Sequence, residues 1–155
     1  MTGVRVLFVC TGNICRSPTA EALLRHHAEG LPIVADSCGI SAEEAGNPPH
    51  PMTIAEAERR GVAVPARRAR RITSRDFAAS DLLVPMTRGH EARLRELAPV
   101  GAAAEIRRMM TFAPAAAVAD VPDPWYGDRR AFVHAFDLIE QGVLGLLAEL
   151  RPRLG

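Results

Sequence analysis

A short apolar run, followed at once by a turn and a helix, constrains the fold of this chain more than any other feature. Residues 4–9 are rich in β-branched and aromatic side chains, which predicts a buried β-strand. Residues 10–17 include a glycine and an asparagine and predict a turn. Pro18 stands where the first turn of a helix tolerates proline, so we expect a helix over residues 18–29, closed by Gly30.

The alternation of strands and helices continues along the chain. Further strands are predicted at residues 31–36, 81–84 and, more weakly, 105–109, and helical segments at residues 52–60, 74–79 and 88–97. Residues 41–51 and 111–127 contain several prolines and predict loops. The last helix is the clearest, because apolar residues recur at steps of three and four: Phe132, Phe136, Ile139, Val143, Leu146, Leu147 and Leu150.

This order of elements predicts an α/β fold in a single domain over residues 1–155. We expect a four-stranded parallel sheet with helices on both faces. Ligands of such sheets bind beyond the carboxyl ends of the strands, and the loop after the first strand lies there.

The composition excludes several classes of function. The net charge of +1 gives no global field that would favour nucleic acid or a membrane. All 19 basic residues are arginine, and the absence of lysine excludes a Walker-type phosphate loop and a Schiff-base enzyme. Three cysteines without a secretory leader predict a reduced, cytoplasmic protein. No apolar stretch is expected to reach the length of a transmembrane helix.

The turn at residues 10–17 has the sequence CTGNICRS and can form a cradle for a phosphate or another oxyanion. If it wraps into a circle, its backbone amides point at one site, and the N-terminus of the following helix adds positive potential. Gly12 and Asn13 tolerate the left-handed backbone angles that an anion-binding nest needs. The residues expected to bind phosphate are Thr11, Gly12, Asn13, Ile14, Cys15, Arg16 and Ser17.

Cys10, at the start of this cradle, is the candidate nucleophile. The amides, the helix dipole and Arg16 all favour a thiolate over a thiol. Arg16 offers a planar fork for two phosphate oxygens, and the Ser17 hydroxyl can donate to the Cys10 sulfur. A Cys-x5-Arg pattern alone is only moderate support, since a buried cysteine before a helical arginine also produces it. A dinucleotide-binding fingerprint fails because only Gly12 is present, and no second ligand pair joins Cys10 and Cys15 to bind a metal.

Asp123 is the candidate general acid, which a thiolate attacking phosphorus needs in order to protonate the leaving oxygen. It lies in a loop before Pro124, although an aspartate in that position is by itself more often a turn residue. Trp125 and Tyr126, the only tryptophan and tyrosine of the chain, follow directly. They are either exposed for binding or, for one of them, part of the core.

The segment VLFVCTGNICRSP at residues 6–18 resembles the signature of the low-molecular-weight protein tyrosine phosphatases. The resemblance continues at residues 36–37, 46–49 and 121–127 and so covers nearly the whole chain. It implies hydrolysis of protein phosphotyrosine and aryl phosphates, without a cofactor, through a phosphocysteine on Cys10. Arg16 would then bind phosphate, and Asp123 would act first as acid and later as base. Trp125 and Tyr126 would wall a cleft for the phosphotyrosine ring.

The resemblance also suggests supporting residues. Ser37 would hydrogen-bond Asn13 and hold the cradle in shape, unless it is a simple turn cap. Cys15 would form a reversible, protective disulfide with Cys10, unless it is merely buried. Cys38 is expected to be a buried apolar residue, and none of the five histidines is assigned to catalysis.

Two positions depart from the family's pattern. Arg67 stands where the family usually has a histidine, and Thr87 stands where it usually has an aspartate. Arg67 belongs to a cluster with Arg68, Arg70 and Arg71, which we expect to be a solvated face or, alternatively, to attract acidic phosphoproteins.

Three alternative functions are weaker. Arsenate reductases share the cradle but need further cysteines downstream, and none follows Cys38. Protein arginine phosphatases generally have threonine at the position of Ile14, whose apolar side chain suits an aromatic ring better. A phosphopeptide-binding module would be expected to lack Cys10, Arg16 or Asp123. Glu43 and Glu44 are expected to disfavour acidic residues beside the phosphotyrosine.

Overall fold

The computed structural model describes residues 3–154. Four parallel strands form one sheet in the order β2-β1-β3-β4, which confirms the predicted α/β fold. The strands are β1 (Val4–Cys10), β2 (Ile33–Gly39), β3 (Leu82–Pro85) and β4 (Glu105–Ile106). The helices are α1 (Arg16–His27), α2 (Pro51–Arg59), α3 (Ser74–Ala79), α4 (Arg88–Leu97) and α5 (Arg129–Leu150).

Helices cover both faces of the sheet, as predicted, and the alternation of β1 explains why. Val6 and Phe8 belong to an apolar cluster with residues of α1, α2 and α5. Leu7 and Val9 belong to a second cluster with residues of α3 and α4. A strand buried on both faces must be apolar at successive positions, as β1 is.

The connection between β4 and α5 differs from the prediction. The fourth strand ends at Ile106, and 3₁₀ turns occupy Met109–Phe112, Pro114–Ala116 and Pro124–Tyr126 in what was predicted to be a weak strand and a plain loop. Pro114 and Pro124 each start one of these turns, because the fixed φ of proline suits the first position of a turn.

The seven predicted stripe residues of α5 are all buried, which confirms the stripe. The segment Arg129–Arg153 is 25 residues long and contains an 18-residue stretch with a mean hydropathy of 1.4, so length and composition alone would let it cross a membrane. This differs from the expectation that no apolar stretch reaches the length of a transmembrane helix. Half of this 18-residue stretch is buried. The apolar stripe of α5 packs in the same cluster as residues of α1 and β1, as in the core helix of a globular protein.

The carboxyl ends of β1, β2 and β3 meet at one edge of the sheet. Cys10 pairs with Gly39, and Val9 pairs with Pro85. The segment before Asp123 reaches the same edge, because the Val121 amide donates to the Met86 carbonyl over 3.0 Å. Two loops that are distant in sequence are thereby brought together.

Candidate active site

The loop between β1 and α1 has its carbonyl groups turned toward the protein and its amides left free. The amides of residues 12–15 donate to no protein acceptor within residues 3–154. The carbonyl oxygens of Cys10, Thr11, Ile14 and Cys15 accept from the amides of Ile40 (2.9 Å), Ser41 (3.0 Å), His50 (2.8 Å) and Thr19 (3.2 Å), respectively. Free amides beside the N-terminus of α1 make the loop a ready anion site.

Two residues let the loop close. Asn13 has a φ of 61°, in the left-handed region that asparagine tolerates, whereas Gly12 does not use a positive φ, contrary to expectation. Gly39 lies under the loop: a Cβ there would come within 2.6 Å of the Thr11 carbonyl oxygen. A glycine at this position is therefore required for the close approach of β2 to the loop.

Cys10 lies at the base of the loop, and only 3% of the residue is exposed. Its Sγ is 3.0 Å from the Ser17 Oγ. The same hydroxyl accepts from Asn13 Nδ2 over 2.8 Å, and Asn13 Nδ2 also donates to Ser37 Oγ over 3.0 Å. The hydrogen bond expected between Asn13 and Ser37 is therefore present. Ser37 lies within β2 rather than at a turn.

A buried acid supports this network from behind. Glu21 lies in the second turn of α1 and is 0% exposed. Its Oε1 accepts from Ser37 Oγ and from Arg67 Nη1, each over 2.6 Å. Arg67 also pairs with Asp36. Burial opposes ionisation of Asp36, but the hydrogen bonds from Arg67 and Ser37 outweigh it and lower the pKa of that carboxyl.

The arginine cluster is only partly the solvated face that was expected. Arg68 and Arg71 are exposed, whereas Arg67 and Arg70 are half-buried. Arg70 donates to both carboxylate oxygens of Asp76, at 3.0 and 2.9 Å, and its backbone amide donates to the Asn13 side-chain oxygen over 3.1 Å. Carboxylates from three elements surround this segment, so burying two of its guanidinium groups is compensated.

Arg16 connects the loop to the segment that carries Asp123. Its guanidinium donates to the Val121 carbonyl over 2.9 Å, and its Nη2 lies 3.4 Å from Thr11 Oγ1 and 3.6 Å from Asp123 Oδ2. The other Asp123 oxygen accepts from the Trp125 amide over 3.1 Å, which caps the turn Pro124–Tyr126. The Asp123 carboxylate is therefore held at the mouth, with 39% of its side chain exposed.

Cys10, Arg16 and Asp123 line one cavity of about 140 Å³. Its walls include Ile14 and the exposed aromatic pair Trp125 and Tyr126, so neither aromatic plugs the core. Glu43 and Glu44 also line this cavity. The Trp125 ring meets the His50 ring edge-on, with centroids 5.3 Å apart, which holds the wall in place.

His90 belongs to the site and was missed in the sequence. It is 9% exposed, and its Nε2 is 2.8 Å from Thr11 Oγ1. Burial, and then the neighbouring Arg16 guanidinium, lower the pKa of His90 to about 4, so it is neutral at neutral pH. Thr87, the other departure from the family's pattern, caps α4 by accepting from the His90 amide over 3.1 Å. Thr87 directly precedes the predicted helix and is of a type favoured at helix N-caps, a signal that could have placed His90 in the first turn of α4 at this edge.

The other two cysteines, Cys15 and Cys38, are buried, and their surroundings favour the protonated thiol. Burial, and then the nearby Cys10 sulfur, raise the pKa of Cys15 to about 12. Cys38 is 0% exposed, as predicted, and burial raises its pKa further. Within residues 3–154, no group of three or more His, Cys, Asp or Glu side chains is placed to hold a metal ion.

Comparisons with known proteins agree with this geometry. The family model described as "Low molecular weight phosphotyrosine protein phosphatase" matches residues 5–154. A low molecular weight protein-tyrosine-phosphatase of Streptomyces coelicolor is 40% identical over 157 residues, covering 97% of this chain and 95% of the relative.

Two solved structures are also similar. The structure of YfkJ from Bacillus subtilis superposes with a TM-score of 0.91 at 36% identity, covering 100% of this chain and 99% of that one. Vibrio vulnificus Wzb in complex with benzylphosphonate gives 0.83 at 31% identity, covering 95% and 99%. The chain therefore belongs to the low-molecular-weight protein tyrosine phosphatase family.

Proposed function

We propose that this protein tyrosine phosphatase hydrolyses phosphotyrosine in proteins through a phosphocysteine intermediate on Cys10. One observation carries the proposal: a thiol, a guanidinium and a carboxylate from Cys10, Arg16 and Asp123 line one small cavity beside free backbone amides. A thiolate, a phosphate-binding fork and a proton donor are the groups that this displacement needs.

In the first step, the Cys10 thiolate attacks phosphorus and the bond from phosphorus to the tyrosine oxygen breaks. Asp123 transfers its proton to that oxygen, so tyrosine leaves as a neutral phenol. The amides of residues 12–15 and the Arg16 guanidinium hold the equatorial phosphate oxygens and stabilise the charge that they carry.

In the second step, the Asp123 carboxylate removes a proton from water, whose oxygen bonds to phosphorus. The bond between sulfur and phosphorus breaks, releasing inorganic phosphate and restoring the Cys10 thiolate. The Ser17 hydroxyl, 3.0 Å from the sulfur, donates to the departing thiolate. Asp123 is protonated again and ready for the next turnover.

The walls of the cavity support an aromatic substrate. Ile14, Trp125 and Tyr126 surround the entrance with apolar surface, to which a phosphotyrosine or aryl phosphate ring can pack. The related Wzb structure contains benzylphosphonate, a phosphonate attached to a benzyl group. Tyrosine-phosphorylated proteins are therefore the proposed partners. A cytoplasmic location is part of this proposal, because the nucleophile must stay reduced.

The test is steady-state hydrolysis of para-nitrophenyl phosphate and a phosphotyrosine peptide by wild type, Cys10→Ser and Asp123→Asn. We expect Cys10→Ser to be inactive. Asp123→Asn keeps an acceptor for the Trp125 amide but cannot transfer a proton, so kcat should fall about 10²- to 10⁴-fold on the peptide. The loss should be smaller on para-nitrophenyl phosphate, whose leaving group needs less help from an acid.

Asp128→Asn is the matched control. Asp128 caps α5 by accepting from the amides of Arg130 and Ala131, and the same substitution should leave kcat within about 2-fold, as expected for a surface cap. A wild-type enzyme that is inactive under reducing conditions would refute the phosphatase mechanism. An equal loss on both substrates would argue against Asp123 as the acid.

A further inference from the structure

A long groove continues outward from the cavity that Cys10, Arg16 and Asp123 line, which we call the phosphate cavity. A hollow of about 570 Å³ shares Ile14, Glu44 and Trp125 with that cavity and extends over Pro48 to Ile54. A second hollow, of about 590 Å³, begins at the same Pro48 and Ile54 and reaches residues 62–68. We call the two hollows together the side groove. Each is several times larger than the phosphate cavity.

The side groove is lined mostly by apolar residues, with a few charged residues among them. Its floor includes Pro48, Pro49 and Ile54, and the Ile54 residue is 36% exposed although it is large and apolar. Glu58 is exposed on α2, borders both hollows and forms no ion pair within residues 3–154. The near hollow therefore combines apolar residues with a carboxylate that has no ion-pair partner, whereas the second hollow is also lined by Arg67 and Arg68.

We propose that the side groove binds the residues adjoining phosphotyrosine in the substrate protein, with an apolar side chain against Ile54 and a basic side chain facing Glu58. This inference rests on the proposed function. The groove starts at Ile14 and Trp125, which also wall the phosphate cavity, so a chain leaving the ring enters the groove directly. Glu44, where the two meet, adds a second negative charge, so complementarity selects against acidic neighbours.

The experiment compares kcat/KM for phosphotyrosine amide and for three phosphotyrosine peptides, with flanks that are apolar and lysine-containing, apolar and glutamate-containing, or alanine only. We expect wild type to prefer the lysine-containing peptide to the alanine peptide by about 10-fold, the effect of one well-buried apolar side chain. Ile54→Asp should remove that preference through KM. Glu58→Arg should reverse the order of the lysine and glutamate peptides.

Two exposed positions elsewhere serve as matched controls. Leu144→Asp introduces the same charge on α5, and Glu96→Arg makes the same reversal on α4. Both controls should keep the wild-type preference, and all four variants should hydrolyse para-nitrophenyl phosphate within about 2-fold of wild type.

Equal kcat/KM for the amide and all three peptides would overturn the groove assignment while leaving phosphotyrosine hydrolysis intact. Absence of turnover on every phosphotyrosine substrate would instead defeat the proposed function. A wild-type dimer in sedimentation that Ile54→Asp dissociates would show that a second copy of this chain covers the groove, which also overturns the proposal.

Discussion

His90 is coupled to the reacting groups through one hydroxyl. Thr11 Oγ1 is 3.4 Å from Arg16 Nη2, from which it accepts, and can direct its single hydrogen at a neutral His90 Nε2, 2.8 Å away. Protonation of the imidazole would end that arrangement and place a second positive charge beside Arg16. Burial and Arg16 keep the pKa of His90 at about 4, against attraction from Asp123 and Asp120.

This shift predicts a pH dependence of stability. The ordinary pKa of 6.5 applies in the unfolded chain, so between pH 6.5 and about 4 the unfolded chain binds a proton that the folded protein does not. The unfolding free energy should therefore fall by about 3 kcal/mol in total as the pH is lowered from 6.5 to about 4, and His90 should have no such effect above pH 6.5.

Urea unfolding at several pH values should show a weaker dependence of the unfolding free energy on pH for His90→Asn than for wild type. His134→Asn, at an exposed position, should follow wild type. Parallel curves for wild type and His90→Asn would contradict the buried neutral imidazole.

At the scale of elements, Arg67 ties the segment before α3 to α1 and β2. Its partner Glu21 is fully buried in α1, and Glu21 in turn accepts from Ser37 of β2. Arg25 Nη2 is 2.9 Å from the other Glu21 oxygen, but that side chain is half-exposed. Arg67 is therefore the main counter-charge of Glu21, the buried acid that supports the phosphate-binding loop through Ser37.

Arg67→Gln should leave the Glu21 carboxylate without most of its compensation. We expect a loss of about 3 kcal/mol in denaturant unfolding, because removing one partner of a buried ion pair leaves an unpaired charge. Arg68→Gln, one residue along, is the control: Arg68 is exposed and donates only to the Gly46 carbonyl, so its loss should stay within about 0.5 kcal/mol. Equal stabilities for the two variants would mean that Arg25 and solvent suffice for Glu21.

The elements that could be predicted are those with local patterns. The stripe of α5 and the loop between β1 and α1 depend on residues a few positions apart, and both are where the sequence places them. The contacts of Arg67 with Glu21 and of His90 with Thr11 join residues 46 and 79 positions apart. Only the order of strands in the sheet creates such contacts, so no local pattern in a single sequence shows them.

For the molecule as a whole, the site depends on how α5 and the segment after β4 pack together. Two glycines of α5 form a flat surface for the turn Met109–Phe112. A Cβ at Gly145 would lie 1.9 Å from the Phe112 carbonyl oxygen, and one at Gly142 would lie 3.0 Å from the Met109 carbonyl oxygen. This turn leads along the chain to Val121, whose carbonyl accepts from Arg16 and whose amide donates to Met86.

Gly145→Ala should therefore lower stability while sparing catalysis. The new methyl group meets backbone, which cannot rotate away, so we expect a cost of about 1–3 kcal/mol and a fall in Tm of roughly 3–10 °C. The two hydrogen bonds of Val121 position Asp123 independently of that clash, so kcat/KM for para-nitrophenyl phosphate at 25 °C should stay within about 3-fold of wild type.

Gly89→Ala in α4 is the control, since the new Cβ would have no heavy atom closer than Thr87 Oγ1 at 3.6 Å and alanine favours a helix. An unchanged Tm for Gly145→Ala would show that the turn can shift freely. A large loss of kcat/KM at full folding would show instead that the packing of α5 sets the position of Asp123.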